Sequence, residues 1–464
     1  MWMLLALALA AEPDWAQRFS VGPTLGPPAE KCESKAKVVP PGGPDPERKG
    51  GAGADAPETP PPEHLRINLA PNADNRHLAP EVLARLSPPD LASLPVEPLR
   101  GREEDLAALR ARVSTAAVLT RPLRVGFWGA SHVAGEFFTG EVRRLLQDRH
   151  GDAGHGFVMP APPWDGYRAS DINLCAGGAW ASDFDQRRNG RRDGLYGPAG
   201  MSVESNDPLA FGWVETTREN PHGRSVSKFE VMFYKQPAGG TLLAQVDEQP
   251  PIEILTAGEG PGVALIRVAD GPHRLRIAPK GDGPVRIFGV NLERDGQGVV
   301  VDAMGVSGKT ASSWMRWDSD LMAGYLARRQ VDIVVMAYGT NEANDRSMTD
   351  DAYRASLRRS LTRMRELLSD AECVLIGPSD RGKKVKGTLF QIWAPTSTIA
   401  AVQREIGPEF GCVTWDLQAA TGGPGSVFGW RAADPTLMAQ DLIHFSAAGY
   451  RELGRRFVGQ LFGG

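Results

Sequence analysis

The stretch that most limits what this 464-residue chain can fold into is 331–338, VDIVVMAY. Apart from Asp332 it is apolar throughout, so a strand built from it has no face to give to water. Such a strand belongs inside a parallel sheet covered on both sides, and parallel neighbours require helical crossovers. Residues 123–128, 299–303, 373–377 and 412–415 read as companion strands. Tyr353, Leu357, Leu361, Met364 and Leu368 fall on one face of a helix, and 137–146 and 447–461 also carry helical periodicity.

Between these α/β stretches the texture changes. Short alternating runs at 229–235, 241–246, 252–255, 263–268, 273–278 and 285–292 are separated by Gly- or Pro-rich turns. Strands at this spacing predict an all-β sandwich. The α/β part before it holds one clear strand, too little to close a core alone. The pattern therefore predicts one doubly wound α/β domain interrupted by a sandwich.

The N-terminal third is of another kind. MWMLLALALA is an apolar run ending in a small-x-small pattern, which predicts an export signal over residues 1–10. Residues 11–63 are Pro- and Gly-rich, with too few apolar side chains for a core, and read as a disordered linker. Residues 64–120 carry short helical patterns around 83–86 and 106–113 and read as a helical preface.

Lys+Arg 52 against Asp+Glu 56 gives a net charge of −4, without the basic surplus of a general nucleic-acid binder. Past residue 10 no apolar run reaches membrane-spanning length, so no integral membrane segment is expected in the mature chain. Cys32, Cys175, Cys373 and Cys412 form no CxxC pair, and their pairing is open. The His residues show no metal-site spacing, so no structural metal is expected.

Four segments sit at strand ends or turns: Gly129-Ala130-Ser131-His132, Gly305-Val306-Ser307-Gly308-Lys309-Thr310, Gly339-Thr340-Asn341-Glu342 and Asp441-Leu442-Ile443-His444. Open α/β sheets place their sites at the carboxyl ends of strands. Together the segments supply a nucleophile, a base, an orienting acid and oxyanion donors, the parts for acyl transfer. Singly, each has a plainer reading as a turn, a cap or a packed imidazole.

As an ordered set they resemble the SGNH (GDSL-type) hydrolases, and among them the peptidoglycan O-acetylesterases with an inserted carbohydrate-binding-like sandwich. The resemblance covers about residues 121–464. Ser131 matches the block I nucleophile, Gly308 the block II glycine, Asn341 the block III asparagine, and Asp441 and His444 the block V pair. Ala130 departs from the family's usual Asp between the block I Gly and Ser, a position outside the triad. The resemblance implies a flavodoxin-like three-layer α/β/α sheet. It divides the chain into hydrolase parts at 121–205 and 297–464 around a sandwich at 206–296.

It also implies an exported, periplasmic or secreted serine esterase that removes O-acetyl groups from a carbohydrate polymer, with acetylated peptidoglycan as partner and no cofactor. Ser131, His444 and Asp441 would form the triad, and Ser131, Gly308 and Asn341 the oxyanion hole. His132, Trp164, Trp314 and Trp430 are the candidate substrate contacts; Trp213, Phe233 and Tyr234 on the sandwich could stack on sugars or pack a core. The rival functions are an O-acyltransferase with the same triad and a carbohydrate-binding protein whose catalysis has decayed. A phosphate loop at 303–310 fits a relaxed pattern only, and the strand 331–338 ends without the acidic residue such a site needs.

Overall fold

A computed structural model of the chain describes residues 16–21, 37–39, 61–185, 190–345 and 347–463. The expected export signal lies outside these residues. At the centre is a five-stranded, all-parallel sheet: β1 (Leu123–Gly129), β2 (Val299–Gly305), β3 (Ile333–Ala337), β4 (Glu372–Ile376) and β5 (Cys412–Trp415). The strand order is β2-β1-β3-β4-β5. This is the flavodoxin-like order, whose switch point lies where β1 meets β3.

Both faces of the sheet are covered. Val125, Phe127, Ile333, Val335, Val374 and Ile376 pack with α1 (Phe137–His150), α5 (Ala447–Leu461) and the helix Glu103–Ser114. Trp128, Met304, Val334, Met336 and Leu375 face α2 (Ser319–Arg329), α3 (Asp350–Leu367), α4 (Pro395–Ile406) and the sandwich. That two-sided burial explains why 331–338 is apolar at successive positions. Cys373 and Cys412 stand opposite each other on β4 and β5 and form a disulfide.

Two antiparallel layers make the sandwich. One, of five strands, runs Ile252–Leu255, Thr241–Val246, Arg274–Pro279, Phe211–Thr216 and Ile172–Gly177. The other centres on Val226–Lys235 between Gly260–Gly271 and Val285–Glu293, and continues through Met201–Ser205 and Ala179–Phe184. The strands from Ile172 to Ser205 therefore belong to the sandwich, not to the first hydrolase part where the sequence division put them. Runs such as INLCAG and AWASDF alternate weakly, which hid them.

Two pieces of the expected linker also depart from expectation. Ala16–Ser20 runs parallel to Gly260–Gly271, and Lys37–Val39 runs parallel to Ala179–Phe184. Poor apolar content argues against a core but not against pairing, because a sheet edge offers backbone donors and acceptors to any extended segment. The 64–120 preface adds a strand, Arg66–Asn68, beside Leu389–Ile392, which pairs in turn with Gly382–Lys386.

Sheet and sandwich meet through buried charge. Glu293 at the end of a sandwich strand accepts from Arg124 of β1 at 2.9 and 3.0 Å and from Arg329 of α2, and lies 3.0 Å from Lys228 Nζ. Arg329 also makes a bidentate pair with Asp302 of β2, both bonds 2.7 Å. The surrounding cations hold the Glu293 carboxyl well below its ordinary range, against the opposing effect of burial.

Candidate active site

The site is assembled by the switch point. Gly129 ends β1 and is flanked in register by Gly305 of β2 and Ala337 of β3. Ser131, the 305–310 loop and the 339–344 turn therefore leave the sheet side by side. A side chain at Gly305 would meet the backbone of Ala134 at 2.3 Å, so bare backbone there lets the short helix Ser131–Ala134 settle on β2. Gly308 has φ +78°, a left-handed conformation that favours glycine, and stands in open space.

Hydrogen bonds tie the three loops together. Val306 N–H donates to Gly129 O at 3.0 Å, and Asn341 Nδ2 donates to Lys309 O at 2.8 Å. The backbone N–H groups of Ser131 and Gly308 have no acceptor among the described residues. Glu342, which the sequence reading passed over, is buried in the turn. Its carboxylate accepts from Ala311 N–H and Gly339 N–H, each at 2.9 Å, and burial raises its pKa. It fixes Asn341 by joining the 339–344 turn to the residues after the Gly308 loop. Its only signal in the sequence is adjacency to Asn341.

The Asp441–His444 loop approaches from the far side. His444 Nε2 lies 2.7 Å from Ser131 Oγ, and His444 Nδ1 lies 2.6 Å from Asp441 Oδ2. The other carboxylate oxygen accepts the backbone N–H groups of Ile443 and His444, both at 3.0 Å. Burial alone would raise the Asp441 pKa. The hydrogen bonds from the His444 ring and from the His444 and Ile443 N–H groups outweigh it and hold the carboxyl well below the usual range. An ionised acceptor at Nδ1 puts the ring proton there and leaves Nε2 free to accept from the serine hydroxyl.

His132 is packed inward rather than toward substrate. Ser379 Oγ donates to Ile443 O at 3.2 Å, so its one proton is spent and His132 Nε2–H donates to Ser379 Oγ at 3.3 Å. His132 Nδ1 then accepts from Tyr450 O–H at 2.8 Å. Tyr450 in turn packs edge-on against the Phe445 ring. Both arms of the ring thus end on the loop that carries His444. Burial and the neighbouring His444 push the His132 pKa down to about 3, so the ring is neutral. Ser379 escaped the sequence reading because its partners lie far away along the chain.

The tryptophan candidates divide. Trp314 is 0 % exposed and packed against Trp128 and Trp317. Trp430 is 1 % exposed, donates to Thr421 O and supports Phe445 from behind. Neither can touch a substrate; nearness in sequence to a motif does not set which way a side chain points. Phe233 is likewise core, while Trp213 and Tyr234 are half-buried under Arg274 and Arg286. Trp164 is half-buried, edge-on to Tyr167 and Phe184, and Lys309 Nζ sits 5.1 Å above the Phe184 ring. A short 3-10 turn, Ala311–Arg316, and not a helix N-terminus, follows the 303–310 loop, which sets it apart from a phosphate loop. Among the described residues no group of three or more His, Cys, Asp or Glu could hold a metal ion, and no helix is long and apolar enough to cross a membrane.

Known proteins resemble this chain in sequence and in fold. Residues 255–452 match the GDSL-like Lipase/Acylhydrolase family, a span holding Gly308, Asn341, Asp441 and His444, with Ser131 ahead of it. A solved peptidoglycan O-acetylesterase is similar over 78% of this chain and 96% of its own, with 25% identity and a TM-score of 0.64. A family two carbohydrate esterase from Clostridium thermocellum, solved with cellohexaose, aligns over 57% of this chain and 97% of its own at 12% identity and a TM-score of 0.27. One from Cellvibrio japonicus aligns over 66% and 96% at 13% identity and 0.24. Among curated proteins none matches the chain. Residues 255–452 thus carry the pattern of the GDSL-like lipase and acylhydrolase family, and the chain resembles a carboxylic ester hydrolase of that kind.

Proposed function

We propose that this protein is an exported esterase that removes O-acetyl groups from a carbohydrate polymer, peptidoglycan in particular, through Ser131, His444 and Asp441. The observation that carries the proposal is the unbroken chain from Ser131 Oγ through the His444 ring to Asp441, at 2.7 and 2.6 Å. The peptidoglycan O-acetylesterase similar over most of both chains supports the substrate. The Cys373–Cys412 disulfide supports an oxidising compartment.

In this mechanism Ser131 Oγ attacks the acetyl carbonyl as His444 Nε2 takes its proton. The developing oxyanion is held by the Ser131 and Gly308 N–H groups and by Asn341 Nδ2, which has a second hydrogen beyond the one given to Lys309 O. His444 returns the proton to the departing sugar oxygen, which leaves as a hydroxyl. Water then attacks the acetyl-enzyme with the same base. Trp164 would line the sugar side of the cleft. The test is acetate release from O-acetylated peptidoglycan and from an aryl acetate. Ser131→Ala should abolish both, and equal release by variant and wild type would remove Ser131 from the mechanism. Acetyl appearing on an added glycan in place of free acetate would make the protein a transferase.

A further inference from the structure

A basic hairpin lies against the catalytic loop. Residues 381–386, RGKKVK, place Arg381, Lys383, Lys384 and Lys386 within six positions of a chain whose net charge is −4. Gly382 N–H donates to Leu442 O at 3.1 Å, so Arg381 begins directly beside the Asp441–His444 loop. On its other side Arg381 Nη1 donates to Asn344 Oδ1, just past Asn341. The start of the hairpin therefore joins the two: the Arg381 guanidinium holds the turn that carries the oxyanion asparagine, and the Gly382 backbone holds the loop that carries the base.

Arg381 is unusually placed for a cation. It lies over the Trp393 ring at 5.7 Å, and its buried Nε has no hydrogen-bond partner. Among the described residues no carboxylate pairs with it; Asp441 acts on it only at longer range. Lys384 and Lys386 are exposed, without an acidic partner among the described residues. Lys383 Nζ lies 5.1 Å over the same Trp393 ring. A buried guanidinium N–H without a partner is costly, and the planar fork of a half-buried arginine fits a carboxylate.

We propose that Arg381, continued by Lys384 and Lys386, is a subsite for carboxylate groups on the substrate polymer, so that the enzyme selects an acidic acetylated glycan over a neutral one. This deepens the esterase reading and rests on it for the position of the cleft. The charged rim adds attraction that a neutral polymer cannot use.

The test uses soluble O-acetylated peptidoglycan fragments as a matched pair, native and with their carboxylates converted to primary amides. Wild type should show about tenfold higher kcat/KM on the native fragments, the scale of one charge-assisted hydrogen bond. Arg381→Gln should bring the native-to-amidated ratio close to one. Lys384→Gln with Lys386→Gln, both exposed and tolerant of change, should lower it by a smaller factor. Calorimetry with the full-length Ser131→Ala protein reads the same preference without turnover. Equal binding of native and amidated fragments, or a ratio untouched by either variant, would overturn the subsite. Acetate release by Ser131→Ala, or none by wild type, would instead overturn the esterase mechanism and leave the binding comparison standing.

Discussion

Asp441→Asn isolates the part of the site that sets a proton's address. In the native loop Asp441 Oδ1 accepts the Ile443 and His444 backbone N–H groups at 3.0 Å, and Oδ2 faces His444 Nδ1 at 2.6 Å. An asparagine keeps its carbonyl oxygen under the two backbone donors and so turns its NH2 toward Nδ1. The ring must then accept at Nδ1 and carry its proton on Nε2, which points at Ser131 Oγ from 2.7 Å. Two donors now face each other and the serine has no base. The expected loss is about 10⁴-fold in kcat, or ~5.4 kcal/mol at 1.36 kcal/mol per decade. Stability should barely move, because both backbone bonds survive and the Asp441 side chain is 46% exposed; a Tm shift within about 3 °C is expected. Aryl acetate hydrolysis gives kcat, and nitrogen-15 chemical shifts of the imidazole report the tautomer. A folded variant that keeps more than about a tenth of wild-type kcat, or whose proton stays on Nδ1, would refute this account of Asp441.

Asn341→Ala removes one oxyanion donor and should lower kcat by about 10²–10³-fold, with little change in KM for an aryl acetate. Because folded His132 binds its proton far more weakly than an unfolded histidine, stability should fall as pH drops from about 6.5 toward about 3, as the unfolded chain takes up a proton that the folded one refuses. Acid melts of His132→Phe should lose part of that limb, and identical limbs in both proteins would discount the buried neutral ring. The Cys373–Cys412 bridge closes a separation of 39 residues, so changing both cysteines to alanine should cost about 4 kcal/mol on the chain-entropy account, read from urea midpoints.

The parallel sheet was legible because its strands are buried on two faces and say so with runs like 331–338. The six middle strands were legible from alternation between turn residues. What escaped was held by backbone pairing or by distant partners. Ala16–Ser20 joins a sheet edge with little apolar content, and Ile172–Ser205 supplies strands with weak alternation. At the site, the ordered motifs named residues that the structure places in one hydrogen-bonded cluster. Ser379 and Arg381 are tied to loops distant in sequence, and no local pattern marks them; Glu342 is marked only by standing next to Asn341. Trp314 and Trp430 went the other way: large aromatics near a motif are more often its scaffold than its contact surface.

The charge cluster around Glu293 bears on how this enzyme can change over time. Deleting the sandwich would strand Arg124 and Arg329, both nearly buried, without the carboxylate they share. Losing one partner of such a cluster typically costs about 3–5 kcal/mol, a large part of a domain's whole stability. The insertion is therefore not a detachable accessory. It should melt in one transition with the sheet and resist excision by proteases at its joints. A chain without the sandwich would need other residues in place of Arg124 on β1 and Arg329 on α2.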